Sequence, residues 1–232
     1  MHLIISARRV MQALVTAFAV IIALNIIVVL LRFIVGVDHY VFDRVYRKLC
    51  VDYEQNLPSY FNALLLLMAS VFTGLIHLLQ KKTNKEAFKW WLLSLAFLFL
   101  SVDESASIHE FFVKFLPMYV GIGGEGIFRN AWVIVYGLGA IAFAIYLIPS
   151  LLKLPPDLLK GMILSGAVYV GGAIGVEMIG SWYVSHAGDA NIGYAALATL
   201  EESLEMAGLI LFIRYMLVYI REEYEANSVT LG

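Results

Sequence analysis

Cysteine is almost missing from this chain: Cys50 is the sole one in 232 residues. That excludes an intrachain disulfide framework and any paired-cysteine metal or redox motif. Charge is sparse as well. Charged residues make up 15% of the chain, against roughly a quarter in a soluble globular domain. The net charge of −2 selects no class of partner, and no basic tract or zinc-finger spacing points to nucleic acid. What abounds is apolar surface: 61% of residues are hydrophobic and the mean hydropathy is +0.83. Together with apolar runs of spanning length, this indicates one polytopic membrane domain over residues 1–232. The basic pair Arg8–Arg9 precedes an apolar run too long for the core of a cleaved signal peptide, so it reads as an uncleaved first span.

The predicted fold is all-α, a bundle of six transmembrane helices near residues 11–36, 58–80, 87–113, 130–152, 158–183 and 195–220. Pro58 opens the second span, where a missing N–H is harmless. Pro155 and Pro156 separate the fourth from the fifth. The runs GIGGEG at 121–126 and HAGDANIG at 186–193 break the chain on either side of the fourth and fifth. Positive charge sets the orientation. Arg8, Arg9, Lys81, Lys82, Lys85, Lys89, Lys153, Lys160, Arg214 and Arg221 fall on one side of a six-span chain, so both termini are expected in the cytoplasm. On the opposite side lies segment 37–57, whose VFDRVYRKL portion reads as a short interfacial helix or an ordered loop. Gly171 and Gly175 form a GxxxG spacing, which permits close helix approach within the chain or with a second copy.

Ionisable residues interrupt three of these spans. Asp103, Glu104, His109 and Glu110 lie in the third, Glu177 in the fifth, and Glu201, Glu202 and Glu205 in the sixth. A carboxylate in hydrocarbon costs several kcal/mol unless it is paired, protonated or bound to a cation. At about 1.5 Å per residue, all three groups fall in the outer half of the bilayer. Asp103 and Glu110, seven apart, share a face of a continuous helix. Glu201 and Glu205, and Glu202 and Glu205, are spaced to face one neighbour. Like charges so close repel, so some of them share a proton or a cation.

Four accounts meet this pattern. One is a divalent metal site, with Glu104, His109, Glu177, Glu202 and Glu205 as ligands and Asp103, Glu110 and Glu201 in reserve. One imidazole among carboxylates suits iron, manganese or zinc better than calcium or magnesium. The second is a proton or cation pathway, as in a transporter or channel. The third is a metal-dependent membrane hydrolase acting on a lipid-like or apolar substrate. In the fourth, the acids pair with Arg32, Lys114 or Arg129 and lock the bundle. The usual di-iron spacing, Glu-x-x-His, is not met, because His109 follows Glu104 by five. Ser101, Ser105, Ser107, Thr199 and Ser203 bond either the acids or their own helix carbonyls. Glu54, Asn56, Tyr60 and Asn62 are placed at the mouth of a pocket above the acids, with Asn56 also a candidate N-cap. His186 and Asp189 lie in an outer loop.

Three runs carry a resemblance. They are E-x-N-x-P at Glu54, Asn56 and Pro58, S-x-D-E-x-x-x-I-H-E at 101–110, and L-E-E-x-L-E-M at 200–206. Together they resemble a group of uncharacterised bacterial multi-pass membrane proteins. The resemblance implies a bacterial inner-membrane location and transfers no activity. A looser likeness is to membrane hydrolases of the alkaline ceramidase kind, which hold zinc with several histidines where this chain has His109. The partners expected are membrane lipids, and either a second copy of the chain or a larger membrane complex to which it is an accessory subunit. Nucleic acid is not among them.

Overall fold

The structure, a computed structural model, describes residues 7–81 and 87–229. Lys82 and Lys85, two of the charges used to orient the chain, lie outside the described residues. Every regular element among the described residues is helical. Helices α1 (Ala7–Val35), α3 (Leu57–Gln80), α6 (Trp132–Leu151) and α7 (Pro156–Ala187) are each long and apolar enough to cross a membrane. So is α8 (Ile192–Val229), over its stretch Ile192–Glu223. A sixth span exists if α4 (Ala87–Ala106) and α5 (Glu110–Val120) are counted as one, but they are bent by 70°. The short α2 (Tyr40–Leu49) fills the segment between the first two spans.

The expected straight span at 87–113 is therefore corrected. Helix α4 stops at Ala106 because Ser107 takes a left-handed conformation (φ 53°). Asp103 then spans the bend: its Oδ1 accepts the backbone N–H of His109, the residue just before α5, at 2.7 Å. The bend breaks the shared face expected of Asp103 and Glu110.

Helix α8 runs through the centre and packs against α1, α3 and α7, while α4 lies along α3. Met206, Leu209, Ile213 and Met216 recur on its buried face at helical spacing. Met206, Leu209 and Ile213 meet Leu14 and Ile21 of α1 and Leu65 and Leu66 of α3, while Met216 packs with Ala69 and Ile76 of α3 and Trp90 of α4. In lipid, apolar contact alone gives helices little reason to associate, so close packing and hydrogen bonds fix the pairing. Ser70 and Ser94 exchange hydrogen bonds to each other's carbonyls between α3 and α4, both at 2.8 Å. Ser101 Oγ donates to Ala63 O at 2.8 Å. The His77 ring at the end of α3 meets the Ala87 carbonyl at the start of α4. Asn25, fully buried in α1, donates to Thr199 on α8 at 2.9 Å and accepts the Val51 N–H at 3.1 Å. It ties α1, α8 and the loop before α3 into one unit.

The predicted close approach of α7 is real but uses other glycines. A Cβ on Gly171 or Gly175 would meet nothing within 4 Å. One on Gly172 would lie 2.8 Å from the Glu201 carbonyl, and one on Gly208 of α8 would lie 2.7 Å from the Tyr169 nitrogen. A π-helical turn at Gly171–Val176 widens α7 at this crossing. Gly208→Ala should therefore overpack the α7–α8 contact and cost about 1–3 kcal/mol. Gly139→Ala, whose Cβ meets open space, should be neutral or stabilising by up to about 1 kcal/mol. Thermal unfolding in detergent separates them, and equal midpoints for the two variants would contradict this crossing.

Candidate functional site

Two short non-helical stretches carry the first part of the site. One is the loop before α3, which bears Glu54. Asn56 closes that loop through a capping box with Ser59, and its Nδ2 also donates to Cys50 O (2.7 Å) and Arg47 O (3.2 Å). The expected N-cap role of Asn56 is thus met, with Pro58 in the first turn. The other stretch is the bend after α4, which bears His109. The two non-glycine residues with positive φ among the described residues are Gln55 (55°) and Ser107 (53°). One adjoins Glu54 and the other stands two residues before His109. Such conformations cost of order 1–3 kcal/mol and gather at functional sites. The two stretches touch: Ser107 Oγ donates to Glu54 Oε2 at 3.4 Å.

His109 stands between two carboxylates, one at each ring nitrogen. Its Nδ1 stands 3.3 Å from Asp103 Oδ2. A carboxylate accepts only, so Nδ1 carries the proton in that bond. Nε2 then faces Glu54 Oε1 at 3.7 Å. One ligand atom from each of Glu54, His109 and Glu110 lies within 4.8 Å of the others. Ligands on opposite sides of a transition metal stand about 4.2 Å apart, since metal–ligand bonds run about 2.0–2.2 Å. Trp132 and Tyr136 wall the imidazole, with ring centroids at 5.2 and 6.4 Å. Withdrawal from water raises the Glu54 carboxyl above the usual carboxylate range; His109 draws it back, Glu110 pushes it up, and smaller effects of Ser107 and Asp103 come after.

A second group lies deeper, between α3, α4 and α8. Glu205 is buried, and its Oε2 accepts from Nδ2 of the fully buried Asn62 at 3.0 Å. Glu104 stands within electrostatic reach of Glu205, Glu54 and His109, and Glu202 within reach of Glu205 and Glu104. Asn62 Oδ1 and Glu202 Oε2 are buried without a hydrogen-bond partner. Asn62 is thus part of the interior and not of a pocket mouth, while Tyr60 points outward and is exposed. A third group holds Glu177, just after the π-helical turn. Its Oε1 accepts from Asn130 Nδ2 at 2.5 Å and Ser181 Oγ at 3.0 Å, and its carboxyl meets that of Glu201.

The acids named from the sequence are thus distributed over three neighbouring groups. His109 joins Glu110 and Glu54; Glu104, Glu202 and Glu205 join Asn62; Glu177 joins Glu201. Asp103 holds the imidazole. The hydroxyls divide as well. Ser105, Ser203 and Thr199 bond their own helix carbonyls, Ser101 bonds α3, and Ser107 bonds Glu54. The His186 ring meets the carbonyl of Trp182, one turn back on its own helix. Arg32 pairs with Asp38 and Asp43 at 3.0 and 2.9 Å. Among the described residues, no lysine or arginine forms an ion pair with these acids. Asn25 and Asn62 were the residues that sequence reasoning undervalued. Each is an amide on the buried stripe of an apolar helix, and that was the available signal.

The chain belongs to the family described as Domain of unknown function (DUF8692), which matches residues 12–220. That range contains every residue of the three groups. Among curated proteins and among solved structures nothing matches this chain.

The left-handed residues make a direct test of the loop geometry. Gln55→Gly should be neutral or stabilising by up to about 1 kcal/mol, because glycine accepts φ > 0 without a Cβ penalty. Gln55→Val should cost about 1–3 kcal/mol, since a β-branched side chain is strained there. Unfolding midpoints in detergent measure both, and a valine variant as stable as the glycine one would refute the left-handed loop.

Proposed function

We propose that this integral membrane protein binds a divalent transition-metal ion through Glu54, His109 and Glu110, with Asp103 orienting the imidazole. The observation that carries the reading is the mutual approach of the three ligand atoms to within 4.8 Å, with Nδ1 of the histidine already taken by a carboxylate. Metal-bound histidines typically hand their second ring N–H to such a partner, which fixes the tautomer and raises ligand basicity. One imidazole and two carboxylates suit zinc, manganese or iron. A proton on Nε2 would make the same contact to Glu54 as an ion pair; a metal replaces that proton. Exposure favours exchange with bulk solution: the Glu54 side chain is 34% exposed and that of His109 is 16% exposed.

The proposed topology is that of the charge pattern, with both termini in the cytoplasm of a bacterial cell and the metal group near the periplasmic face of the inner membrane. Supporting this, Lys89 and Lys153 line one cavity with Trp90, Pro155 and Tyr219. Those residues belong to the predicted inner side, and none of them belongs to the acid groups. The chemistry expected of the bound ion is Lewis-acid activation of water or of a substrate oxygen.

Zinc binding to the purified protein tests the proposal. One equivalent should depend on His109. His109→Ala and Glu54→Gln should each weaken it, and Asp103→Asn should weaken it about 10–100-fold, as second-sphere changes do. The ligands must be deprotonated to bind. Affinity should therefore fall as pH drops from 7.5 to 5.5, with Glu54 taking its proton earlier in that descent than an ordinary carboxylate. Zinc uptake unchanged by both His109→Ala and Glu54→Gln would sink the reading.

A further inference from the structure

We infer that the bundle holds one anionic phospholipid at the end opposite the metal group. Its phosphate sits between Lys89 and Lys153, and one acyl chain lies in a slot between α4 and α6. The site shares no residue with the metal group and stands independently of it.

The headgroup end is a cavity of about 100 Å³, lined by Lys89, Lys153 and Ser150 beside Trp90, Leu93 and Leu147. Trp90, Leu147 and Ser150 are buried, so two ammonium groups and packed apolar surface share one cavity. Among the described residues, no carboxylate lines it. Lys89 Nζ meets only neutral partners there, the Tyr146 carbonyl at 3.1 Å and the Tyr146 ring at 4.0 Å from its centroid. Neither partner balances its charge. Basic pockets between transmembrane helices on the cytoplasmic side take anionic headgroups, and the topology proposed above puts this cavity on that side.

The chain end is the slot. Helices α4 and α6 run antiparallel and touch at two levels: Lys89 against Tyr146, and Phe99 against Tyr136, whose ring centroids stand 6.2 Å apart. The two levels are separated by about 15 Å along each helix. Between them α6 is uncovered. Val133, Gly137, Ala140, Ala144 and Leu147 follow one another at steps of four and three, so they share a face. Val133 and Leu147 at the ends of that stripe are buried, whereas Ala140 and Ala144 in its middle are exposed. Every residue of 138–142 is exposed, and that stretch exceeds one turn, so no side of the helix is covered there. On α4, Leu92 and Ala96 lie on the face that runs from Lys89 to Phe99. An apolar gap at this depth is filled by something apolar, because protein interiors tolerate few voids. An acyl chain is as apolar as leucine. Lys89 and Leu147 belong both to the cavity and to the lower end of the slot, so one lipid reaches both.

Native mass spectrometry of the purified full chain in detergent decides it, with phosphatidylglycerol as the anionic probe and phosphatidylcholine as the zwitterionic one. The wild type should keep one phosphatidylglycerol per chain at concentrations that leave phosphatidylcholine unbound. Lys89→Gln and Lys153→Gln should each weaken retention about fivefold, the worth of one basic side chain at an anionic headgroup. Ala140→Trp, which fills the slot, should weaken it at least as much. Leu138→Trp, on the opposite side of α6, should not. Phosphatidylglycerol should raise the unfolding midpoint of the wild type and not that of the chain carrying both lysine substitutions. His109→Ala should keep the lipid, so the metal reading and this one fail separately. Equal retention of the two lipids, or affinity unchanged in both lysine variants, overturns the inference. Displacement of the lipid by millimolar inorganic phosphate overturns it in favour of a free-phosphate site. A lipid-free dimer that Ala140→Trp breaks gives the slot to a second copy of the chain and also overturns it.

Discussion

Asp103 is the group on which the rest of this architecture turns. One carboxylate oxygen takes the backbone N–H of His109, and the other stands against the ring nitrogen of the same residue. The first bond helps to end α4 and launches α5 at 70°. The second aims the imidazole at Glu54. Backbone direction and side-chain direction are therefore set by one buried residue. A neutral or shorter side chain at this position would relax both at once, and the chain would lose the reason for breaking a helix inside an apolar run.

The acid groups also have an unusual charge balance. Buried carboxylates are normally matched by nearby arginine or lysine, or they give up their charge. Here Arg32, one of the three cations expected to pair with the acids, is engaged by Asp38 and by Asp43 of α2. His109 is the one basic side chain among the three groups. Eight carboxyls cannot be balanced by one imidazole, so protons or metal ions from outside the chain complete the charge.

Much of the fold was legible in the sequence because it depends on periodicity. The apolar runs, the Pro58 start, the Pro155–Pro156 separation and the Asn56 cap are all local signals. What was not legible depends on a single backbone angle or on packing between distant segments. A serine at 107 gives no notice that it will take φ > 0, and without that turn 87–113 reads as one helix. The GxxxG spacing pointed to Gly171 and Gly175, but the π-helical turn shifts the angular register and hands the contact to Gly172. The acids stand out in the sequence as a class because each interrupts an apolar run. Their division into three groups depends on tertiary placement: on α5 swinging aside, on the loop before α3 bringing Glu54 beneath Ser107, and on Asn130 claiming Glu177.

The two left-handed residues have a consequence for how the outer group would meet a ligand. Gln55 and Ser107 belong to different loops, yet the loops touch through the Ser107–Glu54 hydrogen bond. Each strained turn is held in place by its own helix start and by the other turn. The work of ordering Glu54 and His109 is then carried by folding itself, before any ion arrives. Preorganisation of this kind removes from binding the entropy cost of fixing loops and rotamers. An incoming ion would find its ligands already pointing at one another, and affinity would be limited by displacing water and protons instead of by assembling the site.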